Sequence, residues 1–165
     1  MCLNNLSIVV IVEIMIVCYH NFMDKKFVVK VSTIIDASPA KVWEALIKPE
    51  LIKQYLFDTE VISDWKVGSS IIYKGEWNGK SYEDKGIILQ LVPEKIFEST
   101  YWSSMSGISD VPENYKKVTY ELTPENGSTK ITLTQDNNAT EKEKNHSEQN
   151  WKMVLDGLKK LLESK

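Results

Sequence analysis

The feature that most constrains the fold is a series of short alternating segments, each separated from the next by a turn signal. From Lys26 onward, apolar residues occupy every second position, so Phe27 and Val29 are predicted to share one face of a β-strand. Further segments of this kind lie near residues 59–65, 69–77, 81–92, 95–103, 115–124 and 128–136. An Asn-Gly pair such as Asn78-Gly79 between alternating segments is the strongest short signal for a hairpin. Because the connections are short, the strands are predicted to form an antiparallel meander.

A bent pair of short helices is predicted between the first strand and the rest of the sheet. Ser38 is a good N-cap, and Pro39 falls at the first helical position, where its missing N–H costs nothing. Pro49 disfavours helical geometry at the residue before it, so the first helix should end there and a second should begin. The pair, which extends to Leu56, is too short to be stable alone and must pack against another element.

The last segment, residues 140–164, predicts one long helix with a single apolar stripe. Trp151, Leu155, Leu158 and Leu162 recur at helical spacing on one side, whereas the first half of the segment is polar. An antiparallel sheet with helices on one face is an α+β arrangement. The sequence therefore predicts an α+β domain in which this helix packs across the sheet.

The composition indicates an ordinary globular protein and argues against some partners. The chain has 165 residues, of which 42% are hydrophobic and 26% charged, and its net charge is −3. This charge gives no support for nucleic acid or an anionic membrane as a partner. All 20 basic residues are lysines, and arginine is the usual residue for bidentate phosphate recognition. We therefore expect no nucleic-acid partner.

Residues 1–22 are expected to be a hydrophobic N-terminal extension outside the domain, which would span residues 23–165. The apolar run Leu6–Tyr19 is shorter than the ~20 residues that a membrane helix requires, so stable membrane insertion is not expected. A membrane tether is the alternative interpretation. Both cysteines, Cys2 and Cys18, fall in this extension, so no disulfide is expected in the domain, and a cytoplasmic location fits.

Several segments together resemble a known family. ASPAKVWEALIKPELIKQYLF at residues 37–57 contains A-S-P-x-x-V-W-x-A-L, and Gly86–Ile96 contains G-x-x-L-x-L-x-P-x-K-I. STKITLTQDN and a final helix with Trp151 follow in the same order. This combination resembles the activator of heat-shock-protein-90 ATPase homologue family, within the START-like, helix-grip superfamily. The resemblance implies a curved antiparallel sheet wrapped around the long C-terminal helix, two short helices after the first strand, and a cavity between sheet and helix.

Aromatic and apolar side chains are the best candidates for lining such a cavity, because ligand sites are mostly apolar with a few orienting polar groups. The predicted ligand-binding residues are Trp43, Tyr55, Tyr73, Trp77, Phe97, Tyr101, Met105, Ile108, Tyr120, Trp151 and Leu155. The segment Ser103–Asn114 is the candidate for a mobile mouth of the cavity. The alternatives are that the same aromatic residues only fill the core and that this segment is an ordinary surface loop.

No catalytic site, metal or cofactor is expected. His20 lies in the extension and His146 in the polar half of the last helix, so no His/Cys cluster is formed, and no phosphate-binding glycine motif is present. The strand carboxylates are expected on the solvated outer face, and they are Glu76, Asp84, Glu98 and Glu121. Glu98 is the one that would enter the cavity if its side of the strand faced inward.

Three classes of function follow from these features. The preferred one is a non-catalytic protein, monomeric or weakly dimeric, that binds a small hydrophobic or aromatic molecule of lipid-like or polyketide-like character. The second is a stress-related accessory protein of a chaperone, as the family name suggests. The third is a START-like cyclase or hydrolase, for which no acid–base pair is evident in the sequence.

Overall fold

Seven antiparallel strands and one long helix dominate residues 27–164, the part of the chain that the computed structural model describes. The elements are β1 (Phe27–Ile35), α1 (Pro39–Ile47), α2 (Pro49–Tyr55), β2 (Glu60–Ser63), β3 (Ser70–Trp77), β4 (Lys80–Val92), β5 (Ile96–Tyr101), β6 (Lys116–Glu125), β7 (Ser128–Asn138) and α3 (Glu141–Glu163). The strands form one sheet in the order β1-β7-β6-β5-β4-β3-β2. The predicted α+β helix-grip fold is confirmed. The expected extension over residues 1–22, with Cys2, Cys18 and His20, lies outside the described residues.

Tight hairpins set the register of the sheet. Asn78 and Gly79 have φ angles of 50° and 75° and join Trp77 to Lys80, the first pair of the β3–β4 ladder. The turn between β6 and β7 is of the same kind, since the Asn126-Gly127 pair has φ angles of 50° and 90°. Two successive left-handed residues form the turn that suits the twist of a two-residue hairpin. The predicted hairpin at Asn78-Gly79 is therefore confirmed.

The bent helical pair forms as its prolines require. The Ser38 hydroxyl accepts a hydrogen bond from the Lys41 N–H at 3.4 Å, which caps α1. Lys48, immediately before Pro49, takes an extended conformation with ψ of 116°, so α1 ends and α2 starts in a new direction. Beyond α2, Phe57 and Asp58 both have positive φ angles and turn the chain toward β2.

The long helix packs on one side of the concave face. α3 makes its main sheet contacts with β1 and β7, and it also contacts α1 and α2. Val154, Leu155 and Leu158 are buried in the core. At Gly157, an added Cβ would come 3.2 Å from the Tyr55 carbonyl oxygen, so a residue without a side chain lets α2 approach closely. We call the concave face of the sheet the inner face. Because α3 packs mainly on its β1–β7 half, the inner sides of β3, β4 and β5 lie to one side of the helix and not beneath it.

A buried polar network anchors the N-terminal half of α3 to the sheet. The Asn138 side chain is inaccessible, and its Oδ1 accepts hydrogen bonds from Lys116 Nζ at 3.1 Å, Gln135 Nε2 at 2.9 Å and Ser147 Oγ at 3.2 Å. Gln135 Oε1 in turn accepts from Trp151 Nε1 at 2.6 Å. These bonds fix the position of Trp151 relative to β6 and β7. Within residues 27–164, every helix is too short or too polar to span a bilayer.

Candidate functional site

Four aromatic rings cross the inner face of the sheet in a continuous row. The rings of Trp65 and Phe97 lie 5.9 Å apart, and those of Phe97 and Tyr120 are stacked at 5.8 Å with an interplanar angle of 7°. Tyr120 then meets Trp151 of α3 edge-on at 6.2 Å. We call Trp65, Phe97, Tyr120 and Trp151 the aromatic row. It connects the β2–β3 turn to the long helix, and its last three members are predicted ligand-binding residues.

Trp65 was not among the residues predicted from the sequence. It lies in a polar turn, with φ of 53°, and its backbone N–H donates to Ser63 Oγ at 3.1 Å. A bulky residue in the left-handed region is uncommon. This conformation brings the indole over the inner face, where it contacts Phe97. The available signal was a tryptophan among Asp and Lys, a residue type that is rarely left fully solvated.

Four tyrosines bring their hydroxyl groups together on the same inner face. We call them the interior tyrosines, and they are Tyr55, Tyr73, Tyr101 and Tyr120. Burial raises the pKa of each hydroxyl above its usual range, and for Tyr120 the three other tyrosines add to the rise. As whole residues they are nevertheless only partly buried, whereas neighbouring strand residues such as Ile88 are 0% exposed. The interior tyrosines are therefore candidates for the lining of a ligand site.

The partners of these hydroxyls differ. Tyr55 donates to the Ala45 carbonyl oxygen at 3.2 Å, which ties α2 to α1. Tyr101 donates to Asp84 Oδ2 at 2.6 Å, and its ring meets that of Tyr73 edge-on at 6.2 Å. Tyr73 lies directly opposite Asp84 in the β3–β4 ladder. The polar end of the site is thus built by β3, β4 and β5 around one carboxylate.

Asp84 is buried on the inner face, which corrects the expectation that it lies on the solvated outer face. Its side chain is 7% exposed, and Oδ1 accepts from the Ser104 N–H at 2.8 Å and from Ser104 Oγ at 3.1 Å. Residues of the same parity on β4, Gly86 and Ile88, are also buried. The alternation of β4 therefore predicts the buried position of Asp84, whereas the general preference of carboxylates for solvent does not.

Glu98 does not enter the inner face. On β5 the buried side chains are those of Phe97 and Ser99, so Glu98 points to the opposite side. There its Oε2 accepts from Thr119 Oγ1 at 2.8 Å and lies 3.7 Å from Lys117 Nζ. The expectation that Glu98 lies on the outer face is therefore correct, and the conditional entry of this residue into the cavity does not occur.

Three predicted site residues lie away from the aromatic row and the interior tyrosines. Trp77 is 50% exposed at the tip of the β3–β4 hairpin, where it meets Phe57 edge-on at 5.6 Å. It has the same parity as Tyr73, but the hairpin tip lies beyond the inner face. Met105 and Ile108 are also largely exposed, in the loop after β5. By contrast, three predicted residues are buried in the core, namely Trp43, Phe97 and Leu155, although Phe97 is also a member of the aromatic row.

The segment Ser103–Asn114 is tied to the sheet at both ends. Ser104 binds the Asp84 carboxylate from the inner side, as described above. On the outer side, Asp110 pairs with Lys85 and accepts a hydrogen bond from the Tyr115 hydroxyl at 2.7 Å. The hydrogen bonds from Lys85 and Tyr115 hold the pKa of Asp110 below its usual value. The segment is therefore linked directly to the polar end of the site.

Among the described residues, no group of three or more His, Cys, Asp or Glu side chains is arranged to hold a metal ion. A groove of about 550 Å³ lies on the outer face and is lined in part by Val28, Leu89, Lys117 and Asp136. None of the predicted ligand-binding residues lines this groove.

Comparison with solved structures places the fold among known ones. The chain is 54% identical to ChR145 from Cytophaga hutchinsonii, a solution structure, with a TM-score of 0.74 over 84% of this chain and 94% of that one. A solution structure described as the Aha1 dimer from Colwellia psychrerythraea shares 23% identity, with a TM-score of 0.65 over 82% and 96% of the two chains. MLL2253 from Mesorhizobium loti also shares 23% identity, with a TM-score of 0.67 over 82% and 96%. A search of curated protein sequences finds no match.

A family model matches most of the described chain. The match covers residues 36–163 and is to the model of the Activator of Hsp90 ATPase homolog 1-like protein. The matched range begins just after β1 and includes both short helices, the other six strands and α3. The family and the fold support a ligand-binding or accessory role in general terms. The chain therefore belongs to the Activator of Hsp90 ATPase homolog 1-like protein family.

Proposed function

We propose that the domain binds a small hydrophobic molecule with an aromatic ring beside the aromatic row and releases it unchanged. The observation that carries the proposal is the partial exposure of the interior tyrosines and of Trp151, on a sheet face whose aliphatic residues are mostly buried. By contrast, Val29, Ile88 and Leu133 on the same face are each 0% exposed, and of the aromatic row only Phe97 is nearly inaccessible, at 4%. A surface of rings with a few hydroxyl groups is what a ligand pocket for a planar apolar molecule requires.

The same arrangement gives little support for chemistry on the ligand. A cyclase or hydrolase needs a general acid or base that can reach the substrate and exchange protons with it. Asp84 and Tyr101 are close enough to form such a pair, but the Tyr101 proton is directed at Asp84 Oδ2 and Ser104 binds Oδ1, which leaves Oδ2 able to act as a hydrogen-bond acceptor only. We therefore assign these groups to orientation of the ligand.

The proposal is tested by adding polyphenol, sterol and fatty-acid probes to the protein and recording thermal shifts and NMR spectra. A binding probe is expected to shift resonances of Tyr73, Tyr101, Tyr120 and Trp151. Tyr120→Ala should lower the affinity for that probe by at least about tenfold, because the substitution removes a ring from the middle of the aromatic row. Trp77→Ala is the matched control, because Trp77 lies away from the site. The affinity of this variant for the probe should equal that of the wild type.

Two outcomes would contradict the proposal. If no probe of the three classes shifts an inner-face resonance, the aromatic row is only packing. If a bound probe is converted to a product and Asp84→Asn abolishes the conversion, the domain is an enzyme.

A chaperone accessory role in the cytoplasm is the second candidate, and the family description is the observation that favours it. An accessory that acts on Hsp90 must change the ATPase rate of the chaperone. The measurement is the steady-state ATPase rate of purified Hsp90 with and without an excess of this protein. Stimulation of at least about twofold would support the accessory role, since the ligand-binding function alone predicts an unchanged rate.

A further inference from the structure

The Asp84 carboxylate introduces a negative charge into the inner face, where the side chains of the aromatic row and the interior tyrosines are neutral. Its partners are the Tyr101 hydroxyl and the N–H and hydroxyl groups of Ser104, all of which are neutral donors. Three donors and no acceptor face the two oxygens, as an ionised carboxylate requires. None of the ion pairs among the described residues includes Asp84. Hydrogen bonds hold the charge in place, but no cation cancels it.

The other charges near this face do not offset Asp84. Lys116 lies opposite Tyr101 in the β5–β6 ladder, but its ammonium group binds Glu143 of α3 and Asn138. Lys116 and Glu143 therefore form a pair of opposite charges with no net contribution. Lys85, the neighbour of Asp84, pairs with Asp110 and stacks over the Trp102 ring at 5.6 Å. A ligand on the inner face thus meets a net negative charge.

The charge lies next to two of the interior tyrosines, Tyr73 and Tyr101. Tyr73 is directly opposite Asp84, and side chains opposed in this way have Cβ atoms about 5 Å apart. Only one protein donor, Tyr101, binds Oδ2, so this oxygen can accept a second hydrogen bond. A molecule whose ring contacts Tyr73 therefore brings its substituents next to a carboxylate that accepts donors and repels anions.

From this arrangement we infer that Asp84 sets the specificity of the site, selecting a ring that presents a neutral hydroxyl donor and rejecting the same ring with a carboxylate. The inference rests on the proposed function and narrows it. Free fatty acids and aromatic acids are then poor ligands, and phenol-type molecules are good ones. Two like charges about 7 Å apart in partly buried surroundings repel strongly enough to change affinity by at least about tenfold.

The test uses two probes with the same fused ring, 2-naphthol and 2-naphthoate, titrated at neutral pH and followed by NMR. The wild-type protein should bind 2-naphthol at least about tenfold more tightly than 2-naphthoate. Asp84→Asn keeps an oxygen acceptor but removes the charge. In this variant the two affinities should agree within about threefold, because 2-naphthoate binds more tightly than before.

A control variant separates the charge of Asp84 from that of its neighbour. Glu83→Gln removes a negative charge on the adjacent residue, which is exposed and paired with Lys74 at 3.1 Å. This variant should keep the wild-type preference for 2-naphthol, because the charge on the inner face is unaltered.

The outcomes distinguish this inference from the proposed function. Equal binding of both probes by the wild type, or an unchanged preference in Asp84→Asn, overturns the role of Asp84 while ligand binding stands. If neither probe shifts an inner-face resonance, the proposed function and the inference are overturned together. If Asp84→Asn does not fold, the test rests on the two affinities of the wild-type protein. Equal affinities for 2-naphthol and 2-naphthoate would then overturn the inference.

Discussion

Replacing Trp151 by alanine is expected to lower the free energy of unfolding by about 3 kcal/mol. The indole of Trp151 packs edge-on against Tyr120, and its Nε1 donates to Gln135 Oε1 at 2.6 Å. Removing it leaves a cavity beside the aromatic row and a buried amide oxygen without its donor, since Gln135 is only 3% exposed. The value lies at the lower end for a tryptophan because part of the ring is accessible.

Urea denaturation of two further variants separates the contributions. Trp151→Phe keeps a ring against Tyr120 but removes the donor, and it should cost about 1–2 kcal/mol. Met153→Ala on the same helix is the control, since Met153 is 53% exposed and its loss should change stability by less than about 0.5 kcal/mol. A loss below about 1 kcal/mol in Trp151→Ala would contradict the role of this residue in holding α3 on the sheet.

The elements of the fold were predictable because each depends on signals that are local in the sequence. Asn78-Gly79 takes the two left-handed conformations that its residue types favour. Pro49 separates the two short helices in the same local way. Alternation over β1 and helical spacing over α3 identify the buried faces, and the structure confirms them at Val29 and Leu158.

The site was only partly predictable because it depends on where the curved sheet ends and on which residues meet across it. Alternation correctly puts Tyr73 and Trp77 on one side of β3, but it does not show that Trp77 lies at the exposed tip of the hairpin, outside the inner face. Nor does any local pattern indicate that Trp65 adopts a left-handed conformation and reaches Phe97. Asp84 is a different case, because its parity with Ile88 places it inside, although its chemistry suggests solvent.

Gly86→Ala is expected to be the most damaging single change on β4, with a loss of at least about 3 kcal/mol or no folded protein. An added Cβ would lie 1.7 Å from the Thr100 carbonyl oxygen and 2.6 Å from its carbonyl carbon. Both are backbone atoms of β5. They cannot move away without disturbing the adjacent pair of hydrogen bonds between Lys85 and Trp102, whose N–O distances are 3.0 and 2.8 Å.

The matched control is a glycine on the neighbouring strand. At Gly75 an added Cβ would come 2.5 Å from the Tyr82 hydroxyl, which is the far end of a flexible side chain. Tyr82 can swing aside at the cost of its 2.6 Å hydrogen bond to Thr59, so Gly75→Ala should lose only about 1 kcal/mol. Thermal and urea melts of the two variants measured side by side make the comparison.

The effect of Gly86 should extend to the ligand site. Gly86 is two residues from Asp84 on the same face of β4, and the strand that it would displace carries Tyr101. A Gly86→Ala protein that folds is therefore expected to shift Tyr101 relative to Asp84, and its affinity for 2-naphthol should fall along with its stability. If Gly86→Ala unfolds at the wild-type urea concentration and keeps that affinity, the close approach of β4 and β5 does not position the carboxylate.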